Sequence, residues 1–268
     1  MRKAIILAGG SGSRLHPLTK AVSKQLLPVY DKPLIYYPLA SIMKAEIDEI
    51  LIITASQQNE HLFRELLGFG DDLGIFINYA IQKEPKGIAE AFLIGEEFLD
   101  GSPCVLALGD NIFHGHQFDV MLPNINDNQN IIFGCKVKDA SSYGVAEFDD
   151  VGRVVSIEEK PKDPKSNYAV PGLYFYDNTV VEKAKSLAPS ARGELEITDL
   201  NNLYIQEKKL SIVKLPPGTA WFDAGTHDDL LEAGQFIRAI QSRTGVVVAD
   251  LEGISRRNGW LKTLTSDE

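Results

Sequence analysis

The apolar run Ala4-Ile5-Ile6-Leu7-Ala8 stops abruptly at Gly9-Gly10-Ser11-Gly12-Ser13-Arg14-Leu15. A short apolar run bounded by glycines predicts a buried strand that ends in a sharp turn, as strands of a wound α/β sheet do. Glycines also let backbone N–H groups come close to anionic oxygens, because no Cβ blocks the approach. Arg14 closes the turn and Lys24 follows ten residues later, so two cations can neutralise charge that backbone dipoles alone cannot. Leu7, Gly9, Gly10, Ser11, Gly12 and Ser13 therefore read as a strand end and a phosphate cradle.

Charge is distributed in keeping with that reading. The chain carries a formal charge of −10. Residues 1–32 hold Arg2, Lys3, Arg14, Lys20, Lys24 and Lys32 against Asp31 alone, about +5 there and about −15 elsewhere. A small basic site on an acidic body suits a small polyanion. It does not suit nucleic acid, which needs a broad basic face to displace many counterions. The plain alternative is a solvated run of surface lysines.

Apolar β-rich runs at Ala4–Ala8, Glu49–Thr54, Ile75–Ala80, Cys104–Leu108 and Ile131–Val137 alternate with helical spacing at Pro33–Glu46, His61–Leu67 and Gly87–Leu99. That order predicts an α/β fold with a doubly wound, mostly parallel, Rossmann-like sheet. Ligands of such sheets sit outside the carboxyl ends of the strands, where Gly9-Gly10 and Leu108-Gly109-Asp110-Asn111 both fall. From Tyr143 the pattern changes to short strands, Gly144–Phe148, Val154–Glu158 and Tyr168–Tyr176, an inserted subregion laid over the core. Helix returns at Glu196–Lys208 and Asp228–Arg243, and a polar tail follows. At 268 residues one domain is expected, divided as 1–142, 143–227 and 228–268.

Met1-Arg2-Lys3 before an apolar run mimics a secretion signal, but five apolar residues are too few for one, and no stretch approaches a membrane span. Cys104 and Cys135 lie in strand-like runs without metal spacing, so buried thiols in a reducing cytoplasm are expected.

A P-loop would need Gly-x-x-x-x-Gly-Lys-Ser/Thr, which is missing, and a dinucleotide fingerprint would need a glycine where Leu15 stands. What remains is Leu-Ala-Gly-Gly-Ser-Gly-Ser-Arg-Leu followed by Lys24-Gln25-Leu26-Leu27-Pro28-Val29-Tyr30-Asp31-Lys32-Pro33. This resembles the signature of the nucleotidyltransferases that make nucleoside-diphosphate sugars, and most of all the glucose-1-phosphate thymidylyltransferase family. The likeness runs from Lys3 to about Arg243.

The resemblance implies a division of labour. Arg14 and Lys24 would be catalytic cations, and Gln25 would join the nucleotide loop. Asp110 in Leu-Gly-Asp-Asn and Asp223 in Trp221-Phe222-Asp223-Ala224-Gly225-Thr226 match the two metal-ligand motifs, for Mg²⁺ carried by the nucleotide. Taken alone, Asp110 is equally a turn cap, and Asp223 a turn residue before a helix. Gln82, Pro85 and Gly87 in Gln82-Lys83-Glu84-Pro85-Lys86-Gly87 match the base reader, since a glutamine amide can pair with the N3–H and a carbonyl of thymine or uracil. Otherwise Gln82 is an exposed loop residue. Asn111, Tyr143, Gly144, Glu159, Lys160, Val170 and Arg192 match hexose-phosphate segments, with Lys160 and Arg192 holding the phosphate. A solvated charge run at Glu158-Glu159-Lys160 is the alternative.

Pro171 stands where the family usually has Thr, and His114, read as a loop residue, where an aromatic is common. The tail Gly253–Glu268 stops short of the C-terminal helices of longer members. The expected reaction is dTTP + α-D-glucose 1-phosphate → dTDP-glucose + pyrophosphate, with Mg²⁺. A UTP-dependent or other-hexose pyrophosphorylase, or a silent sugar-nucleotide sensor, is the alternative. Leu230, Leu231, Ala233, Phe236, Ile237 and Ile240 form an apolar stripe, and with the resemblance this predicts a homo-oligomer, dimer or tetramer, with weak or absent feedback inhibition by dTDP-rhamnose.

Overall fold

In the computed structural model, which describes residues 1–10 and 12–262, the first apolar run becomes β1 (Lys3–Ala8), a central strand of a ten-stranded sheet. Alternate residues feed opposite faces, as the two-residue period of a strand requires. Ala4, Ile6 and Ala8 pack with Leu39 and Phe63 on one side, and Ile5 packs with Phe92 and Leu200 on the other. A small hairpin, β2 (Pro28–Val29) and β3 (Lys32–Pro33), leads into α1 (Tyr36–Lys44), β4 (Glu49–Thr54), α2 (Gln57–Leu67) and β5 (Phe76–Ile81). The chain returns through α3 (Glu90–Ile94) and α4 (Glu96–Leu99) to β6 (Cys104–Leu108) on the far side of β1. The order β5-β4-β1-β6 is parallel throughout, and Leu7 pairs with both Ile53 and Leu108. This is the doubly wound core expected from the alternation of periods.

The second half adds β7 (Asn111–His114), α5 (His116–Met121), β8 (Asn130–Lys136), β9 (Gly144–Phe148), β10 (Val154–Glu159), β11 (Tyr168–Ala169) and β12 (Leu173–Tyr176). After them come α6 (Val180–Lys185), α7 (Ile197–Gln206), β13 (Leu210–Lys214), β14 (Ala220–Asp223), α8 (His227–Thr244) and α9 (Leu251–Arg257). Strand β12 runs antiparallel between β6 and β8, and β9 to β11 continue antiparallel, while β13 joins β8 in parallel. The inserted region thus extends the parallel core edgewise as one mixed sheet.

Several local expectations shift. The helix read over Gly87–Leu99 starts only at Glu90 and is interrupted at Gly95. The strand read over Tyr168–Tyr176 splits, because Pro171 has no N–H for a ladder. His114 lies in β7, edge-on to Phe236 at 5.8 Å, and not in a loop. Cys104 is buried but Cys135 only half-buried. On α8, Ala233 and Ile237 pack into the protein's own core, with Leu230, Phe236 and Ile240 partly buried against it. Leu231, one position off that face, is 61% exposed. Arg2 is buried against the carbonyls of residues 125, 126 and 129, Lys3 pairs with Glu49, and Lys32 with Asp31. The excess charge of residues 1–32 is therefore not one basic surface.

The expected polar tail is in part a packed helix. Helix α9 is capped by the Asp250 carboxylate on the Gly253 N–H (3.0 Å) and buries Leu251 and Ile254 with α1. Asn258 Nδ2 donates to the Met43 carbonyl at 2.7 Å. The expectation for residues 263–268, and that for Ser11, falls outside the described residues. Ile254→Ala should lower the free energy of unfolding by about 2–4 kcal/mol in urea titrations, the usual consequence of emptying a buried aliphatic site. A loss under about 0.5 kcal/mol would mean that α9 only lies on the surface.

Candidate active site

Strand β6 ends at Leu108, and the chain turns through Gly109-Asp110 into β7, which pairs with β14 as a two-stranded ribbon. Its register sets Asp223 opposite Asn111, and the Ala224 N–H donates to the Asp110 carbonyl at 3.1 Å. Two carboxylates far apart in sequence are thereby brought to one spot. Each ribbon strand has only four residues, too few to show a clear alternation, which is why sequence reading missed both.

Asp110 ion-pairs with Lys24 through Oδ2, and its Oδ1 accepts from Asn111 Nδ2 at 2.9 Å. Burial would raise this carboxyl, but the Lys24 ammonium and the Asn111 amide outweigh it and hold the group below the usual carboxylate range. Asp223 goes the other way. Burial, and then the negative charge of Asp110, push it up to about 6 against the opposing pull of Lys24 and Arg14. Two close carboxylates that resist joint ionisation are a site that a cation would relieve. Among the described residues no group of three or more His, Cys, Asp or Glu is placed so as to hold a metal ion. A two-carboxylate donor set fits Mg²⁺, which keeps waters and substrate phosphates as its other ligands.

Sheet topology orders the rest. Along the carboxyl edge of β5, β4, β1 and β6 stand Gln82, then the Gly9-Gly10 turn, then Asp110. Gly10 and Gly12 have φ of 96° and 56°, which the turn requires and side-chain-bearing residues resist. Gln25 is buried beneath this turn, its Nε2 3.5 Å from the Gly9 carbonyl. Arg14 is exposed and makes no ion pair among the described residues; its guanidinium lies beside Gly225, just past Asp223. Gln82 is buried and not an exposed loop residue, with its N–H on the Thr54 carbonyl. Pro85 is exposed. Gly87, at φ 104°, runs so close to Leu195 that a Cβ would sit 2.3 Å from its carbonyl oxygen.

On the other side of the carboxylate pair opens a cavity of about 660 Å³, within the usual range for small-ligand sites. Asp110, Asp223 and Arg14 line it together with Asn111, Tyr143, Gly144, Glu159, Lys160 and Val170, so most of the residues singled out for the hexose phosphate lie around one cavity. Asn111 Oδ1 accepts from Trp221 Nε1 (2.7 Å) and from the Gly172 N–H (2.9 Å), and Tyr143 packs edge-on against Trp221. Thr198 donates to Glu159 at 2.6 Å. Lys160 leaves the strand end with φ 46°, its Nζ 3.7 Å from Glu159.

Arg192 is different. It does not line the cavity, and its guanidinium is held by Glu196 at 2.8 Å, with Glu194 and Glu159 at 3.5 and 3.7 Å. Three carboxylates already compensate its charge, so it is a poor phosphate holder in this arrangement. Leu108, Tyr174, Thr198, Asn201 and Trp221 line the cavity and were missed. Thr198 and Asn201 had a signal: polar residues three apart among Ile197, Leu200 and Tyr204, on the buried face of α7.

The profile of the nucleotidyl transferase family matches residues 3–240, nearly the whole span that carries these side chains. The chain belongs to the nucleotidyl transferase family. Within this family, the glucose-1-phosphate thymidylyltransferases of Neisseria meningitidis serogroup A and Mycolicibacterium smegmatis are 54% and 53% identical to it, each over 97% of this chain and 90% of their own. A Bacillus anthracis chain assigned as a glucose-1-phosphate thymidylyltransferase, solved with sucrose, superposes with a TM-score of 0.81 at 40% identity, covering 89% of this chain and 96% of that one. A UDP-glucose pyrophosphorylase solved with UDP-glucose gives a TM-score of 0.79 at 24% identity, over 89% of this chain and 99% of the other, which speaks for the fold alone. Among the described residues no helix is long and apolar enough to cross a membrane.

Proposed function

We propose that this nucleotidyl transferase joins dTTP to α-D-glucose 1-phosphate, releasing pyrophosphate and dTDP-glucose. The observation that carries the reading is the cavity of about 660 Å³ opening onto Asp110 and Asp223 at the sheet edge where the glycine-rich turn ends. A sugar phosphate in that cavity faces a nucleotide laid along the edge from Gln82 to Asp110. One oxygen of the sugar phosphate attacks the α-phosphorus in line, the new P–O bond forms as the bond to the β-phosphate oxygen breaks, and pyrophosphate leaves along the turn. No protein nucleophile is required, so catalysis is positioning and charge neutralisation.

Each residue then has a physical task. The amides of Gly9, Gly10, Gly12 and Ser13 and the Arg14 guanidinium hold the departing pyrophosphate, and Lys24 meets charge on the reacting phosphates. Gln82 reads the base, with Gly87 giving its backbone room. Glu159, fixed by Thr198, and Asn111, fixed by Trp221 and Gly172, hold sugar hydroxyls, while Lys160 takes the sugar's phosphate. Asp110 and Asp223 would hold Mg²⁺, whose charge offsets that of the phosphates.

A cytoplasmic homo-oligomer belongs to the same reading. Cys104 is a buried free thiol, and Leu231, Val246 and Val247, on and just after α8, are each more than half exposed. Light scattering should return a multiple of the chain mass; a clean monomer at micromolar concentration contradicts it. Substrate choice is tested by competition, with dTTP, UTP, dCTP, ATP and GTP mixed with one hexose 1-phosphate at a time and the sugar nucleotides identified by mass. The expected main product is dTDP-glucose. A dominant UDP- or ADP-sugar would overturn the reading.

A further inference from the structure

Gln82 ends in a primary amide whose two sides are chemical opposites: the nitrogen only donates and the oxygen only accepts. Which side faces the nucleotide decides what the residue can read. Its Nε2 donates to Glu90 Oε2 at 2.7 Å and reaches the Gly87 carbonyl at 3.4 Å, so both N–H bonds point at groups that only accept. Turning the amide over would set its oxygen against a carboxylate and a carbonyl with no proton between them. Oε1 is therefore held on the opposite side, against the glycine-rich turn, 3.0 Å from where a Cβ on Gly9 would stand. Glu90 is fixed in turn, since the same Oε2 also accepts the Lys86 N–H at 3.3 Å. Gln82 is 6% exposed, so little water is available to blunt the preference.

We propose that Glu90 is a positioning residue that locks the Gln82 amide with its oxygen toward the nucleotide, making the base site an acceptor that takes only pyrimidines carrying an N3–H. The inference rests on Gln82 as the base reader and adds the group that sets its polarity. Thymine and uracil donate from N3. Cytosine presents a bare lone pair there, so acceptor would meet acceptor in a buried site, the kind of mismatch that gives large discrimination. Glu90 acts through Gln82 and touches no substrate.

The test compares kcat/KM for dTTP and dCTP, with glucose 1-phosphate and Mg²⁺, in the unmodified enzyme, Glu90→Gln, Glu90→Lys and Gln82→Ala. Glu90→Gln keeps the shape but can donate as well as accept, so the Gln82 amide can turn. The dTTP preference should fall by about tenfold or more, with the KM for glucose 1-phosphate and the melting temperature little changed. Glu90→Lys reverses the polarity and should raise the absolute kcat/KM for dCTP; if that variant does not fold, the near-isosteric Glu90→Gln decides. An equal loss for both nucleotides in Glu90→Gln, leaving their ratio unchanged, means a merely structural glutamate and overturns the proposal. Gln82→Ala separates the two layers. An unchanged ratio there removes Gln82 from the base site altogether, whereas a collapsed ratio there with an intact ratio in Glu90→Gln removes only Glu90.

Discussion

Asp223→Asn should lower kcat by roughly 10³-fold or more while making the metal-free protein more stable at neutral pH. The two effects have one cause. Burial and the charge of Asp110 raise the Asp223 carboxyl from 3.8 to about 6. The folded protein thus holds that proton more tightly than the unfolded chain, so ionising Asp223 costs stability. That cost is absent below about pH 4, grows as the pH climbs to about 6, and is present in full above it. Asparagine keeps the shape, removes the repelling charge, and with it the counter-charge for Mg²⁺. Melting curves in EDTA should show the variant ahead of the parent at pH 7.5 and level with it near pH 4. Activity lost together with metal-free stability gained is a pattern that an aspartate serving only the ribbon would not give. A destabilised Asp223→Asn at pH 7.5 would contradict the assignment of the pair.

Lys24→Ala is expected to lower kcat by roughly 10²–10³, about what loss of one preorganised electrostatic contact costs. In the structure the ammonium is on Asp110, its side chain 14% exposed. It is therefore already desolvated and aimed before any phosphate arrives, which is the condition for a large electrostatic effect. The variant should also melt lower at pH 7.5, because Asp110 is left buried without its partner. The KM for glucose 1-phosphate should move less than about threefold, since Lys24 does not line that cavity. A drop in kcat of less than about threefold in a folded protein would remove Lys24 from the catalytic step.

The parallel half of the fold was legible because its signals are local. Ala4–Ala8, Glu49–Thr54 and Cys104–Leu108 are apolar runs that end at turns, and they are the strands β1, β4 and β6 within a residue. In the second half only Gly144–Phe148 and Val154–Glu158 were legible within a residue; β7, β13 and β14 were not, nor was the antiparallel order, because pairing across β8 and β12 is decided by contacts remote in sequence. Helix α9 was hidden by its composition: Glu252, Arg256 and Arg257 read as a solvated tail, while only Leu251, Ile254 and the polar Ser255 are buried.

Site residues divide along the same line. Gly9, Gly10, Arg14 and Lys24 sit in one continuous motif. Asp110 and Asp223 could be joined only through a family resemblance, because a four-residue ribbon leaves no periodic trace. For Arg192 its own neighbours decide the outcome, since the motif that singles it out also contains Glu194 and Glu196, which hold its charge.

The proposed nucleotidyl transfer takes place at the Asp110 and Asp223 pair, and pyrophosphate release reports it directly. Purified protein given dTTP, glucose 1-phosphate and Mg²⁺ should release one pyrophosphate per dTDP-glucose formed, fall to background when EDTA is added, and recover with fresh Mg²⁺. Pyrophosphate release that ignores EDTA, or no release with dTTP and glucose 1-phosphate from a folded protein, would contradict it.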